Sequence, residues 1–378
     1  MTNNVRVAES FPPGDLIKEE LEARGWTQTD LADVLGRPAR LVSELVNGKR
    51  AITPDTAAGL ADAFGTSAQF WMNMDSAWQL SKVARESNLV ARRASLYSRF
   101  PVKDMIRRGW VEGSTNLDVL EARFAQFFAL KELSASPELA CSFRKSGTAI
   151  APNPAQLGWV FRAKHLAESM VVPKFTDATM VECLEKLRPL MASPEEIRHV
   201  PRVLSEAGIR FVLVEQLVEG ARIDGVCFKV KNSPAVALSM RLDRIDYFWF
   251  TLLHELRHVA NRDWVKDAVL DIDLVGEQAD RSELPSFEIK ADEEASASLI
   301  NPSELHNFIL RVKPLYSEER ISGFAKRIGV HPGIVVGRLH WMSEIPYANL
   351  RRALVRVRQY LLPAAKVDGW GHTPGLSS

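Results

Sequence analysis

The sequence predicts a multidomain protein with an all-α bundle, a helical middle region and an α+β domain. Proline and glycine divide residues 13–80 into short helices, and residues 114–200 again show helical apolar spacing. From Ile209 onward apolar residues alternate with a period of two, which is typical of strands. We therefore expect four segments, at 1–80, 81–205, 206–345 and 346–378, the last being a C-terminal helix and flexible tail.

The composition is that of an ordinary globular protein, with 46% hydrophobic and 25% charged residues and a net charge of +1. The N-terminus lacks an apolar signal segment, and no apolar run is long enough to span a bilayer. The three cysteines, Cys141, Cys183 and Cys227, have no CxxC spacing. We therefore expect a cytoplasmic protein without disulfide bonds.

Two short helices joined by a tight turn are predicted near the N-terminus. Thr27 can cap the first helix, with Asp30 at the third helical position, and Gly36 ends it. Pro38 is expected at the first position of the second helix. Three further residues have the sizes that packing at a steep angle requires, namely Ala32, Val42 and Leu45. This pattern predicts a helix-turn-helix.

The outer face of the second helix has the composition of a recognition helix. Arg40 is suited to guanine, while Glu44 either accepts a hydrogen bond from cytosine or holds Arg40 in place. Gln28, Lys49 and Arg50 are placed to contact phosphates. The predicted DNA-binding residues are Gln28, Arg37, Ala39, Arg40, Ser43, Glu44, Lys49 and Arg50.

A helical bundle for protein contacts is the alternative, because residues 1–80 contain seven Lys/Arg against eleven Asp/Glu. The positive charges nevertheless gather around the predicted recognition helix. This local charge favours DNA binding.

Residues 13–80 also resemble the Xre-type helix-turn-helix of the HigA/VapI family of addiction-module antitoxins. Ile52–Ala57 and Leu60–Asn73 carry this resemblance beyond the helix-turn-helix itself. It implies a homodimer on a palindromic double-stranded DNA operator, usually in the protein's own promoter, and a toxin partner. Most members of that family end where this chain continues from residue 81 to residue 378.

A second motif, His254-Glu255-Leu256-Arg257-His258, has the HExxH spacing. Two histidines four residues apart share one helix face and can bind Zn²⁺, while Glu255 can accept a proton from water and pass it to a leaving amine. The alternative is a pair of core or surface histidines on an amphipathic helix. The preceding apolar segment, Tyr247–Leu253, favours a helix buried under a sheet, and Pro234–Arg241 is expected to be the edge strand that pairs with an extended peptide.

A third metal ligand is expected on a later helix. Glu288 can supply the carboxylate, and Asp292, one turn further on, can accept the N–H of a ligating histidine. Glu283, Glu293 and Glu294 lie close by and are alternatives. Glu288 is preferred because the Glu-x-x-x-Asp spacing places both carboxylates on one face.

This arrangement resembles the ImmA/IrrE family of metallopeptidases over about Ala207–Asn301. That family combines HExxH with Glu-x-x-Ala-(Asn/Asp)-x-x-Ala, matched here by Glu288, Ala291, Asp292 and Ala295, before the end Leu299-Ile300-Asn301-Pro302. The resemblance implies a zincin-like (gluzincin) metallopeptidase domain with Zn²⁺ on His254, His258 and Glu288, and Glu255 as the catalytic base. Many relatives have glycine in place of Arg257, an aromatic residue in place of Glu294, and Leu-Leu-His in place of Ala260-Asn261-Arg262.

Two segments have open interpretations. Residues 321–341 have a second helix-turn-helix rhythm with two glycines in its last helix, and we favour a packing role over DNA contact. Residues 82–108 are basic and form either a solvated helix face, which we favour, or a phosphate-contacting extension. Candidates for stabilising a tetrahedral intermediate are Arg262, His306, Tyr316, His331 and His340, but for each of them we favour a structural or solvent-facing role.

The sequence therefore supports a DNA-binding regulator, a HigA-like antitoxin or autorepressor, coupled to a zinc-dependent metalloendopeptidase domain that cleaves or senses a protein partner. The alternative is a non-catalytic binding protein whose zincin-like domain neutralises a toxin or senses a ligand. A third hypothesis is a protease that uses its N-terminal domain for localisation alone.

Overall fold

The computed structural model describes residues 11–82, 89–131, 133, 144–145, 153–217, 222–265, 269–272 and 286–369. Contacts divide the chain into two compact units, Met1–Arg92 and Arg93–Ser378. Cys141 and Glu283, named above as a cysteine and an alternative ligand, lie outside the described residues. None of the described helices is long and apolar enough to cross a membrane.

The first unit contains five α-helices among its described residues up to Lys82. They are α1 (Pro13–Arg24), α2 (Gln28–Leu35), α3 (Ala39–Val46), α4 (Pro54–Phe64) and α5 (Ala68–Lys82). The predicted capping box at the start of α2 is confirmed, since the Thr27 side chain accepts from the N–H of Asp30 and the Asp30 carboxylate accepts from the N–H of Thr27. Pro38 is the N-cap of α3 rather than its first residue, because its ψ of 136° is extended.

One apolar core holds this unit together. Leu31, Val42 and Trp71 are each fully buried in it, and Trp71 Nε1 donates to the Thr66 hydroxyl at 2.7 Å. Gly36 ends α2 in the left-handed conformation (φ 60°), which glycine adopts without the steric cost of a Cβ. The tight turn between α2 and α3 therefore has the residue type that it needs.

The second unit contains the remaining helices and a mixed sheet. The helices are α6 (Leu89–Arg99, which crosses the unit boundary), α7 (Val102–Arg107), α8 (Leu117–Phe127), α9 (Pro154–Glu168), α10 (Asp177–Leu187), α11 (Val200–Glu206), α12 (Ile245–Ala260), α13 (Ser286–Leu299), α14 (Pro302–Val312), α15 (Glu318–Ile328), α16 (Pro332–Trp341) and α17 (Arg358–Leu361). The strands are β1 (Arg144–Lys145), β2 (Arg210–Leu213), β3 (Ile223–Val230), β4 (Ser233–Leu238), β5 (Val269–Ile272) and β6 (Lys366–Val367).

The strand order is β1-β5-β3-β4-β2-β6. The central hairpin β3–β4 is antiparallel, with Cys227 opposite Val236, whereas β4 pairs with β2 in parallel. The prediction of an edge strand at Pro234–Arg241 is therefore wrong, because β4 is covered on both sides. Apolar alternation does not show which strand lies at the edge of a sheet, because it gives no sign that β2 pairs with β4 in parallel.

Both faces of the central strands β2, β3 and β4 are buried. Phe211, Val236 and Cys227 point to the core that contains α12, while Val212, Ala237 and Val226 point to the core that contains α9. This alternation follows from the period of two along a strand. The sheet is thus the middle of three layers, with α12 on one face.

Helices α15 and α16 form the second helix-turn-helix rhythm seen in the sequence. Gly329 ends α15 with φ 71°, and Ile334, Val335 and Leu339 of α16 are buried. A Cβ at Gly337 would overlap the Asp246 carboxylate at the start of α12. Helix α16 therefore packs against α12 and α15 packs against α16, in agreement with the packing role that we favour, and Gly337 permits the close approach of α16 to α12.

The basic segment 82–108 does not form a uniformly solvated face. Arg108 is buried, and it donates to the carbonyl oxygens of Gln216 (2.7 Å) and Glu215 (3.2 Å). It also forms an ion pair with Asp368, whose side chain is 2% exposed. The solvated-face interpretation is therefore wrong for Arg108.

Strand β6 pairs with β2 in the segment that we expected to be a flexible tail.

Candidate functional site

Helix α3 presents a polar face in the first unit. Val42, Leu45 and Val46 are buried beneath it, whereas Ala39 and Arg40 are exposed. Ser43 and Glu44 are partly exposed on α3, and the other predicted DNA-binding residues, Gln28, Arg37, Lys49 and Arg50, are exposed around it. The structure thus places the predicted residues on and around one helix.

Glu44 organises the arginines of this face. Its carboxylate accepts from Arg40 Nε at 2.8 Å and lies 3.4 Å from Arg50 Nη1. The hydrogen bond from Arg40 holds the pKa of Glu44 below its usual value. Of the two roles considered for Glu44, this geometry matches the one in which it holds Arg40. The Arg40 side chain is 88% exposed, so its remaining guanidinium N–H groups face solvent.

Arg37 lies in the turn between α2 and α3. Its guanidinium forms an ion pair with Asp55 in the first turn of α4. Lys49 follows α3, and its backbone N–H donates to the Glu44 carbonyl at 2.9 Å. Arg37 and Lys49 therefore lie on either side of α3 in the sequence, and the ion pair of Arg37 is with Asp55 and not with Glu44.

The HExxH residues lie on α12 in the second unit. His254 and His258 occupy one face of this helix, and their Nε2 atoms are 3.0 Å apart. Glu288 of α13 lies opposite, with Oε2 at 3.2 Å from His254 Nε2 and 3.4 Å from His258 Nε2. Three potential ligands thus converge at one point.

Their spacing fits a zinc ion. With bonds of about 2.1 Å in a tetrahedral site, ligand atoms lie about 3.4 Å from one another. The three observed separations of 3.0, 3.2 and 3.4 Å come close to this value. Two imidazoles and a carboxylate are a common donor set for a zinc site that keeps a fourth position open. Among the described residues, no other such group of potential metal ligands is found.

Each histidine has a carboxylate behind it. His254 Nδ1 is 2.9 Å from Asp292 Oδ1, and His258 Nδ1 is 2.9 Å from Asp263 Oδ2. A proton on Nδ1 that is donated to a carboxylate leaves the Nε2 lone pair directed at the metal position. At these distances the two carboxylates favour the Nδ1–H tautomer of each histidine, which leaves Nε2 to bind a cation.

The carboxylate of Glu288 experiences opposing influences. Burial alone would raise its pKa, but the imidazoles of His254 and His258 that face this carboxylate outweigh burial and lower the pKa. The carboxylate is thus ionised, as a ligand must be.

The site is enclosed. His254, Glu255 and His258 are 0% exposed and Glu288 is 1% exposed. Glu255 follows the first ligand on α12, and its carboxylate lies against β3 at Gly225. A buried carboxylate beside two imidazoles can serve as an acid–base group.

Helices α12 and α13 are also joined at their solvent side. Arg257 Nη2 donates to the Ser298 hydroxyl, and Arg257 Nε lies 4.0 Å from Glu294 Oε2. These contacts join the helix that carries both histidines to the helix that carries Glu288. Glu294 contacts Arg257, and Glu293 is exposed, so neither alternative joins the cluster of ligands.

The candidates for stabilising a tetrahedral intermediate have other partners. Arg262 pairs with Asp177 at 2.7 Å, and the Tyr316 hydroxyl donates to Glu344 at 2.8 Å. His331 accepts the N–H of Gly333, and His340 Nε2 contacts the carbonyl of Asn349 at 2.8 Å. His306 lies on α14, where it lines a cleft of about 560 Å³ with residues of α13 and α16. Within the described part of the chain, the group of potential metal ligands includes none of the three histidines His306, His331 and His340.

Comparison with known proteins places the first unit in a family. The helix-turn-helix family matches residues 17–71. An uncharacterised HTH-type transcriptional regulator of Escherichia coli, YddM, is 31% identical over 81 residues, which are 21% of this chain and 86% of that protein. The chain belongs to the HTH-type transcriptional regulators.

Two further relatives match a similar share of this regulator. Virulence-associated protein A of Dichelobacter nodosus is 41% identical over 73 residues, or 19% of this chain and 72% of that protein. The solved structure of a HigA-family addiction module antidote protein from Coxiella burnetii is 34% identical, with a TM-score of 0.20, and covers 21% of this chain and 89% of that one. These matches leave about four fifths of the regulator to be interpreted from its own residues.

Two residues beside the regulator's group of potential metal ligands were missed in the sequence. Asp263 reaches His258 because the chain reverses at Arg262, which has φ 63°. Gly225 lies 30 positions before Glu255, on a different element. The acidic side chain five positions after the second histidine was a sequence signal for Asp263. A single glycine in a strand is a weaker signal for a close contact such as that of Gly225.

Proposed function

We propose that this chain is a HigA-like autorepressor that binds a palindromic operator as a homodimer, coupled to a zinc-dependent metallopeptidase domain of zincin-like (gluzincin) type. The observation that carries the enzymatic part is the convergence of His254, His258 and Glu288 at separations of 3.0 to 3.4 Å, with Glu255 beside them. Membership of the helix-turn-helix family supports the DNA-binding part. The ligand pattern supports the resemblance to ImmA/IrrE metallopeptidases.

On this proposal Arg40 contacts base edges and Glu44 restricts its position. An arginine held by a carboxylate loses less side-chain entropy when it forms a bidentate contact with guanine. Gln28, Lys49 and Arg50 contact phosphates, which set the position of α3 in the major groove.

His254, His258 and Glu288 would hold the zinc ion, which supplies Lewis acidity for polarising a peptide carbonyl and activating water. The side chains of the protein perform the remaining tasks. Asp292 and Asp263 orient the two imidazoles through their Nδ1 atoms, at 2.9 Å in each case. Glu255 accepts the proton of the attacking water and transfers it to the leaving amine nitrogen.

A non-catalytic binding role is the second candidate. The burial of His254, Glu255 and His258, all 0% exposed within the described part of the chain, favours it, because a peptide must reach the carboxylate of Glu255 to be cleaved. In that case the domain neutralises a toxin or senses a ligand.

One substitution and three assays separate the two candidate functions. The purified full chain is assayed for zinc by metal analysis, for binding to DNA from its own promoter, and for cleavage of a bacterial peptide library. Glu255→Gln should abolish cleavage while zinc and DNA binding persist. Absence of zinc from a folded chain would exclude the enzyme, and cleavage that is unaffected by Glu255→Gln would show that another protease is responsible.

The neighbouring gene tests the toxin partner. Co-expression of the chain with the product of that gene, followed by purification, should yield a complex if the chain is an antitoxin. A chain that purifies alone and fails to relieve the toxicity of its neighbour would leave an autorepressor without a toxin partner.

A further inference from the structure

Strand β3 contains a glycine directly beside the HExxH carboxylate. At Gly225 the three heavy atoms nearest to an added Cβ are all side-chain atoms of Glu255, namely Oε1, Cδ and Cγ, and the two nearest lie closer than any real Cβ contact. Any side chain at position 225 would therefore occupy the space that the Glu255 carboxylate fills.

The backbone does not require glycine here. The φ of Gly225 lies outside the left-handed region, unlike that of the neighbouring Arg222 at 54°. The position is in the interior of a strand, where glycine is usually unfavourable because it packs no side chain. Contact with Glu255 thus explains the glycine, whereas conformation does not.

A bulge accompanies this contact. Ile223 pairs with Ile272 and Gly225 pairs with Asp271, so two positions on β3 correspond to one on β5. Bulges redirect neighbouring residues and frequently occur next to active sites. From Gly225 onward the pairing with β5 is regular, and Cys227, two residues further along β3, faces the core that contains α12.

We propose that Gly225 is a positioning residue for Glu255, which it seats against the backbone of β3. This inference rests on the proposed function, since it explains how the base is held beside the metal ligands. A general base must lie within hydrogen-bonding distance of the proton that it accepts. A displacement of about 1 Å can reduce a rate by about a hundredfold.

A double-mutant cycle in the full chain tests this contact without any assay of catalysis. Gly225→Ala is combined with Glu255→Gln, which preserves the length of the side chain, or with Glu255→Asp, which shortens it by one methylene group. Gly225→Ala should increase the unfolding equilibrium constant of the second unit by about tenfold to a hundredfold, the range for overpacking. The increase should persist with Glu255→Gln and largely disappear with Glu255→Asp.

Unfolding of the second unit can be followed through Cys183. This thiol is buried on α10, and burial raises its pKa to about 12, so the folded chain reacts slowly with alkylating agents. Peptide mapping after a pulse of iodoacetamide in increasing urea gives the unfolded fraction at this position.

Gly158→Ala is the matched control, because a methyl group on this glycine of α9 would make only ordinary contacts, the nearest at 3.6 Å from Met105 Sδ. Its effect should be independent of the residue at 255. The proposal would be overturned if Gly225→Ala destabilises the second unit equally with Glu255, Glu255→Gln and Glu255→Asp. It would also be overturned if both Gly225→Ala and its combination with Glu255→Asp fail to fold.

The cycle also distinguishes this inference from the proposed function. If Gly225→Ala and Glu255 are coupled but the wild type cleaves nothing, the metallopeptidase proposal fails while the contact stands. If the wild type cleaves and Gly225→Ala keeps both its kcat and its zinc affinity, the positioning role fails alone. The expected result is a loss of kcat of about a hundredfold with unchanged zinc affinity.

Discussion

Arg257 Nε of α12 and Glu294 Oε2 of α13 lie 4.0 Å apart, so two of the residues that depart from the ImmA/IrrE pattern contact each other. Glycine and an aromatic residue at these positions would not form this ion pair. Because α12 carries two of the candidate ligands and α13 the third, the pair spans the helices that must keep their spacing.

We expect Arg257→Ala to lower the affinity for Zn²⁺ by up to about fivefold, because a partly exposed ion pair contributes about 0.2 to 1 kcal/mol. Competition with a fluorescent chelator measures this affinity. Lys290→Ala is the control, since Lys290 also pairs with Glu294, at 3.7 Å, but on the same helix. Equal effects of the two substitutions would show that the connection between the helices is unimportant.

The carboxylates behind the histidines give a stronger prediction. Asp263→Asn and Asp292→Asn should each reduce zinc affinity by about 10- to 100-fold, because an amide holds the Nδ1–H of the imidazole less strongly. Glu293→Gln, next to Asp292 but exposed, should have no effect. The role of Asp263 would be refuted if chelator competition gives the same zinc affinity for Asp263→Asn as for the wild type.

The DNA-binding face predicts two distinguishable defects. Arg40→Ala should cost about 1 to 3 kcal/mol on the operator and little on unrelated DNA. Lys49→Ala should instead weaken binding to both and reduce the salt dependence by about one charge, because phosphate contacts are independent of sequence. Fluorescence anisotropy over a salt series on promoter DNA and scrambled DNA separates them. Identical behaviour of the two variants would argue against Arg40 as a base-reading residue.

Replacing two helix glycines of the second unit by alanine should change the free energy of unfolding in opposite directions. Gly337→Ala on α16 should destabilise, since its methyl group would overlap the Asp246 carboxylate, by about 1 to 3 kcal/mol. Gly323→Ala on α15, where a Cβ meets open space, should stabilise by about 0.8 to 1 kcal/mol. Urea unfolding followed at Cys183 provides both values. A stabilising Gly337→Ala would mean that α16 does not pack closely on α12.

Local patterns were sufficient for several features. The capping box of Thr27 and Asp30 and the left-handed Gly36 each depend on residues within one or two turns, so the sequence predicts them directly. The convergence of His254 and His258 similarly follows from helical periodicity.

Features that depend on distant parts of the chain could not be predicted. The interior position of β4 requires its pairing with β2, and the fit of Gly225 against Glu255 requires the packing of β3 on α12. The buried state of Arg108 depends on Asp368, 260 positions away. In each case one sequence pattern is compatible with several arrangements, and tertiary contacts decide between them.

The contact between Arg108 and Asp368 has a consequence for biosynthesis. A ribosome makes the first unit and all of the candidate zinc ligands before it reaches Asp368, and domains generally fold as units, from the N-terminus onward. Until then Arg108 lacks the carboxylate that neutralises it in the folded chain, and β6 has not been made. Helix α3 is therefore complete early, whereas the contact between Arg108 and Asp368 forms only after Asp368 has been made.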